Sequence, residues 1–176
     1  MLVAVSMPRK AAEALGLTPA VAAVAYCVMV ALAAMASAGA LDDARVAHQR
    51  GDYATEFRIV RGLAEQGNPE AQEALGTLYT TGQGVPQDYV EAVKWFHRAA
   101  EQGYAESQDS LARMYVQGQG VPKDFVQAHM WFNLAASRFA GVGPNPDAGA
   151  RDSLATDMTP AQIEEAQRLA REWRPK

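Results

Sequence analysis

The stretches LGTLYTTGQGVPQDYVEAVKWFHRAA (75–100) and LARMYVQGQGVPKDFVQAHMWFNLAA (111–136) decide the fold, because one is the other displaced by 36 residues. Tyr79 and Tyr115, Gly82 and Gly118, Asp88 and Asp124, and Trp95 and Trp131 are each separated by that offset, and so are Gly67 and Gly103 just outside the strings. A period of this length marks a stacked array of supersecondary units, each too small to bury its own apolar face. The two full copies run from 68 to 103 and from 104 to 139.

Apolar spacing divides each copy into two helices. Ala71, Ala74, Leu75, Leu78 and Tyr79 recur at intervals of three and four and so share one helical face, with Glu70, Glu73 and Thr77 turned outward. Asn68 followed by Pro69 starts that helix, since Asn caps free amides and Pro is tolerated at the first position; Gly82 and Gly84 end it. Ala92, Trp95, Phe96, Ala99 and Ala100 repeat the pattern, with Asp88 and Glu91 as a capping pair at the start and Gly103 at the end. Trp95 and Trp131 are expected in the core, each flanked by small alanines, so that Trp95→Ala would open a cavity.

The flanks read as partial repeats. Residues 41–67 keep Asp52, Tyr53, Ala64 and Gly67 at the same period around a short Arg50-Gly51-Asp52 turn, which predicts an N-terminal helical hairpin. Downstream, GVGPNPDAG (141–149) has the glycine and proline density of a loop. Capping helices are expected over 147–174, the last begun by Thr159-Pro160 with Gln162 and striped with Ile163, Ala166, Leu169, Ala170 and Trp173.

With 16 basic and 20 acidic residues the net charge is -4, which excludes binding nucleic acid through bulk charge. A hydrophobic fraction of 49% beside 20% charged residues is that of a folded domain, not a disordered chain. Arg9 and Lys10 precede an uncharged stretch from Ala14 to Leu41 that ends in Ala36-Ser37-Ala38 and Ala38-Gly39-Ala40. A basic flank, an apolar centre and small-x-small ends predict a signal peptide over 1–40, with Met7 as an alternative start and an uncleaved membrane anchor as the alternative fate. Cleavage would remove Cys27, the only cysteine, and leave a cysteine-free domain over 41–176. Tyr26 before that cysteine argues against lipid attachment, where a small residue is wanted.

The quoted strings resemble the Sel-one-like repeat (SLR), a relative of the tetratricopeptide repeat with a longer Gly-x-Gly-Val-x-x-Asp loop between its helices. The glycine loop, the Asp cap, the Trp and the Ala-Ala pair all stand in register in both copies, about half of the domain over 41–176. Ala112 in place of Gly76 and Phe139 in place of the closing glycine depart from the pattern. The resemblance implies an all-α, right-handed α-solenoid of stacked antiparallel helix hairpins. It also implies adaptor or scaffold work rather than one reaction.

No constellation of catalytic residues emerges. His48, His97 and His129 occupy unrelated repeat positions without a metal-ligand spacing, so no metal and no cofactor are expected. Asp88 and Asp124 are accounted for as helix caps, and no Lys-Ser/Thr follows Gly82-Gln83-Gly84 or Gly118-Gln119-Gly120 as a phosphate loop requires. No serine stands in a Gly-x-Ser-x-Gly setting. What remains is surface. If the first helix of each repeat lines the concave side, as the resemblance implies, then Glu70, Glu73, Thr77, Thr81, Glu106, Asp109, Arg113 and Gln117 form a mostly acidic groove for a protein or peptide partner. The expected function is an exported interaction module for a cell-envelope protein, periplasmic or secreted, or held at the inner membrane through 1–40. The alternatives are a secreted hydrolase of cell-wall or β-lactam-type substrates and a membrane-tethered structural subunit.

Overall fold

The computed structural model describes residues 19–137 and 146–176, which contain eight helices and no strand. They are α1 (Pro19–Gln49), α2 (Tyr53–Glu65), α3 (Pro69–Thr81), α4 (Tyr89–Glu101), α5 (Ala105–Gln117), α6 (Phe125–Ser137), α7 (Pro146–Ala155) and α8 (Pro160–Glu172). The basic residues before the apolar run, the alternative start at Met7, the departure at Phe139 and residues 141–145 of the expected loop lie outside the described residues, while residues 146–149 of that loop open α7 instead.

Two compact units divide at Asp43 and Ala44. In the first, residues 19–43 are the opening part of α1, with Val21, Val24, Val28 and Met29 exposed. α1 is helical through the expected cleavage points around residues 38–41. The second unit, from Ala44 onward, is a solenoid of packed helix pairs in which α2 packs on α3, α3 on α4, α4 on α5 and α5 on α6. α6 then carries both α7 and α8, which close that end of the stack.

Side-chain caps open several of the helices, whereas α5 begins after Tyr104 without one. Asn68 accepts the Ala71 amide at 2.9 Å, and Asp88 and Asp124 each accept two amides at 2.9 and 3.0 Å. Thr159 and Gln162 cap one another reciprocally at the start of α8. One detail differs from the expectation: Glu91 does not reach back to Asp88 but pairs with Lys94, one turn along its own helix. The Asp88 amide is instead bound by the Tyr79 carbonyl at 2.9 Å, which ties the loop to α3.

Two devices recur at the 36-residue offset and join one hairpin to the next. Gly84 and Gly120, both at positive φ, press against the backbone that opens the second helix of the preceding hairpin. A Cβ on Gly84 would stand 2.3 Å from the Tyr53 carbonyl oxygen, and one on Gly120 would stand 2.2 Å from that of Tyr89. Gln72 and Gln108, both buried, each donate a 3.2 Å hydrogen bond to the carbonyl of Ala64 or Ala100 near the end of the helix before. These bonds satisfy acceptors that a helix end would otherwise leave free.

The aromatic positions depart from the expectation. Trp131 is buried at 4% exposure, but its counterpart Trp95 is only half-buried, with the Arg98 guanidinium stacked 4.3 Å from its ring. The core of the first repeat is filled by Phe96, 3% exposed, whose ring lies against Gly76 so closely that a Cβ there would come within 2.6 Å. Ala112, at the same offset as Gly76, is buried as well. Trp131 has what Trp95 lacks: the Trp173 ring, beyond the end of α8, meets it edge-on at 6.3 Å.

Candidate functional site

The first helices of successive hairpins carry polar side chains that meet from helix to helix. Arg45, at the end of α1, forms an ion pair with Glu70 on α3. Further along α3, Glu73 accepts the Thr77 hydroxyl at 3.1 Å and stands near Glu106 on α5. Burial pushes the Glu73 carboxyl above the ordinary carboxylate range, and the charges of Glu106 and Glu70 push it the same way against the Thr77 hydrogen bond. On α5, Arg113 binds Asp109 at 2.7 Å and lies over the Phe132 ring at 5.9 Å.

α7 continues the band. Asp147, near its start, is 7% exposed and faces Asp109, Arg113 and Glu106. Burial first, then the Asp109 charge, holds its carboxyl above the ordinary range, with Arg113 opposing. Among the described residues, five carboxyl groups (Glu70, Glu73, Glu106, Asp109, Asp147) thus share one face with two guanidinium groups (Arg45, Arg113). Beside Arg113 the band opens into a groove of about 280 Å³ between α5 and α7, floored by Phe132, Leu154 and Val116 and edged by Gln117, Ser153 and Asp157.

Of the eight residues expected to line a groove, Glu73 and Glu106 are brought together across two helices, and Asp109 with Arg113 along one. Glu70 is half-buried and engaged by Arg45, and Thr81 turns its hydroxyl back to the Thr77 carbonyl at 2.9 Å. Gln117 is exposed at the groove edge. Arg45 and Asp147 were not foreseen. Both lie outside the two full copies, where the 36-residue offset offers no register.

Asp147 yields a pH prediction. Its folded-state carboxyl keeps its proton to higher pH than in the unfolded chain, so ionisation costs stability as pH rises past the unfolded value. The native state is therefore relatively favoured at low pH by this group. Asp147→Asn is expected to melt above wild type at pH 7 and with it at pH 3, as thermal melts at the two pH values would show. Equal melting at pH 7 would remove the cost of ionising Asp147 argued from its burial and from the Asp109 charge.

Residues 69–104 and 105–138 match the Sel1 repeat. Among solved structures, a protective antigen present in uropathogenic Escherichia coli strains, displaying an SLR fold, aligns with a TM-score of 0.72 and 26% identity over 78% of this chain and 29% of its own. A Sel1 repeat protein from Oxalobacter formigenes is 40% identical over 48% of this chain and 65% of its own, with a TM-score of 0.48. The chain spans less than a third of the length of the first and under two thirds of the second. No curated protein matches it. The matched stretches coincide with the hairpins α3–α4 and α5–α6, whose loop glycines and buried glutamines recur at the repeat offset, so the chain carries two Sel1 repeats in tandem within an SLR-type helical solenoid.

Proposed function

We propose that the chain is an exported protein–protein interaction module, an adaptor or scaffold that holds a basic, extended segment of a cell-envelope protein along the acidic band of α3 and α5. Sel1 repeats typically mediate protein–protein contacts and are generally non-catalytic scaffolds, which supports the class of function. The observation that carries the choice of partner is the excess of carboxyl groups, among the described residues, running across α3, α5 and α7. Glu73 lies in partly desolvated surroundings near Glu70 and Glu106, where a partner's Lys or Arg relieves repulsion between carboxylates that water screens poorly. The apolar floor beside Arg113 would take one aliphatic or aromatic side chain of the same segment.

Fluorescence anisotropy with labelled extended peptides, one Lys/Arg-rich and one Asp/Glu-rich, tests this directly. The basic peptide is expected to bind and the acidic one not. Glu73→Gln combined with Glu106→Lys should weaken the basic peptide about 10-fold, or roughly 1.4 kcal/mol, without altering the melting temperature appreciably. Indifference of the peptide to both substitutions would sink the assignment of the face. Crosslinking in intact cells with the same pair of proteins then identifies the partner and the compartment.

A further inference from the structure

A second cleft, of about 400 Å³, opens where α6, α7 and α8 meet, on helices other than those that carry most of the acidic band. Its polar lining comes from His129 and Asn133 on α6, Arg151 and Asp152 on α7, and Gln167 and Arg171 on α8. His129 is 3% exposed, and its Nδ1 is buried with no hydrogen-bond partner among the described residues. Packing does not require an imidazole there. The equivalent position of the first repeat holds Val93, also buried, so the repeat pattern calls for an apolar side chain there and leaves no orphaned polar atom.

The charges around that ring are arranged asymmetrically. Arg151 is fixed at the wall by two bonds to Asp152, at 2.9 and 2.7 Å, and one to Asn133 at 3.2 Å, which neutralises it locally and aligns it. Arg171, on the other wall, has no carboxylate partner among the described residues. Among the described residues the cleft therefore holds one guanidinium without a carboxylate partner, in a chain whose net charge is -4. Burial, then the Arg151 charge, lowers the proton affinity of His129, with Asp152 opposing; the neutral ring so favoured donates from one nitrogen and accepts at the other. Ile163 and Ala155 supply an apolar wall, and the volume falls within the usual range for small-molecule sites.

We propose that this cleft binds a small molecule bearing an oxyanion, a carboxylate or a phosphate, with Arg171 as the principal cation, Arg151 as a pre-aligned second donor and the His129 ring contributing a hydrogen bond. A planar guanidinium pairs with either anion through parallel N–H donors, so the two chemistries share the site.

The test is isothermal titration of the full chain at pH 7 with inorganic phosphate and, separately, with succinate, at ionic strength held constant with sodium chloride. The His129 ring signals are followed by NMR in the same titrations. At least one probe is expected to bind saturably, with a Kd of about 1 mM or tighter, and to move the His129 signals; which probe binds tighter separates the phosphate source from the carboxylate. Arg171→Gln, on an exposed position, should raise that Kd about 10-fold with an unchanged melt. His129→Val, which installs the residue found at the same position of the first repeat, should also weaken binding while melting at or above wild type. Absence of saturable binding by both probes up to about 20 mM overturns the proposal, and so does binding that Arg171→Gln leaves unaltered. Should the valine variant fail to fold, the Arg171 substitution and the His129 signals still decide.

Discussion

Trp131→Ala is expected to destabilise the repeat domain by about 3–5 kcal/mol and to lower its melting temperature by roughly 10 °C. The indole is buried where three helices converge. Its own helix is α6, the Trp173 ring closes on it from beyond α8 at 6.3 Å, and His97 of α4 meets it edge-on at 5.9 Å. Truncation leaves a cavity and also strips one wall from Trp173, so the seat of the C-terminal cap loosens with the core. The paired substitution Trp95→Ala should cost about 1–2 kcal/mol, because that ring is half-exposed beneath Arg98 and touches no capping aromatic. Trp131→Phe serves as the discriminating control. The indole Nε1 has no hydrogen-bond partner among the described residues, so phenylalanine loses area but also removes an orphaned donor. It should therefore recover most of the stability. Chemical denaturation of the three variants checks the order, and equal losses at the two tryptophans would refute the asymmetry.

That asymmetry bounds what could be read from residues alone. The 36-residue offset locates α3 to α6, because Asp88, Asp124 and the loop glycines act locally and alike in both copies, although Tyr104, which stands where Asn68 does in the first copy, makes no side-chain cap. Trp95 and Trp131 look equivalent by the same rule, yet their burial is set by what packs beyond the repeat. The neighbour of Trp131 is a capping helix with no counterpart in the array, and no offset announces it. Gln72 and Gln108 show a signal present but unread. They recur at the offset as polar residues beside apolar stripes, which resembles a solvated face until the carbonyls of Ala64 and Ala100 are seen above them. The candidate face was legible as a list of outward residues on α3 and α5. Its extension through Arg45 and Asp147 was not, because pairing between hairpins depends on how the end units dock.

Gly120→Ala should have the second largest effect, about 2–4 kcal/mol, from two sources that a companion substitution separates. Gly120 has φ 73°, a left-handed conformation that costs any residue with a Cβ about 1 kcal/mol. Its hypothetical Cβ would also lie 2.2 Å from the Tyr89 carbonyl oxygen, 2.5 Å from the Tyr89 carbonyl carbon and 2.9 Å from the Val90 nitrogen. All three are backbone atoms at the start of α4, so no rotamer change relieves the clash and the α5–α6 loop must lift from the preceding hairpin. Gly82 shares the left-handed backbone at φ 72°, but the nearest atom to its Cβ is the Gln87 Cβ at 3.4 Å. Gly82→Ala should therefore cost only the conformational part, about 1 kcal/mol. In a stacked array stability is a sum of unit and interface contributions, so damage confined to an interface weakens the coupling between hairpins more than the hairpins themselves. The Gly120 variant is accordingly expected to unfold in urea with a broader transition and a lower m value than the Gly82 variant at matched midpoint. Equal losses and equal m values for the two would show that the loop does not join the hairpins and that glycine serves there only as a turn residue.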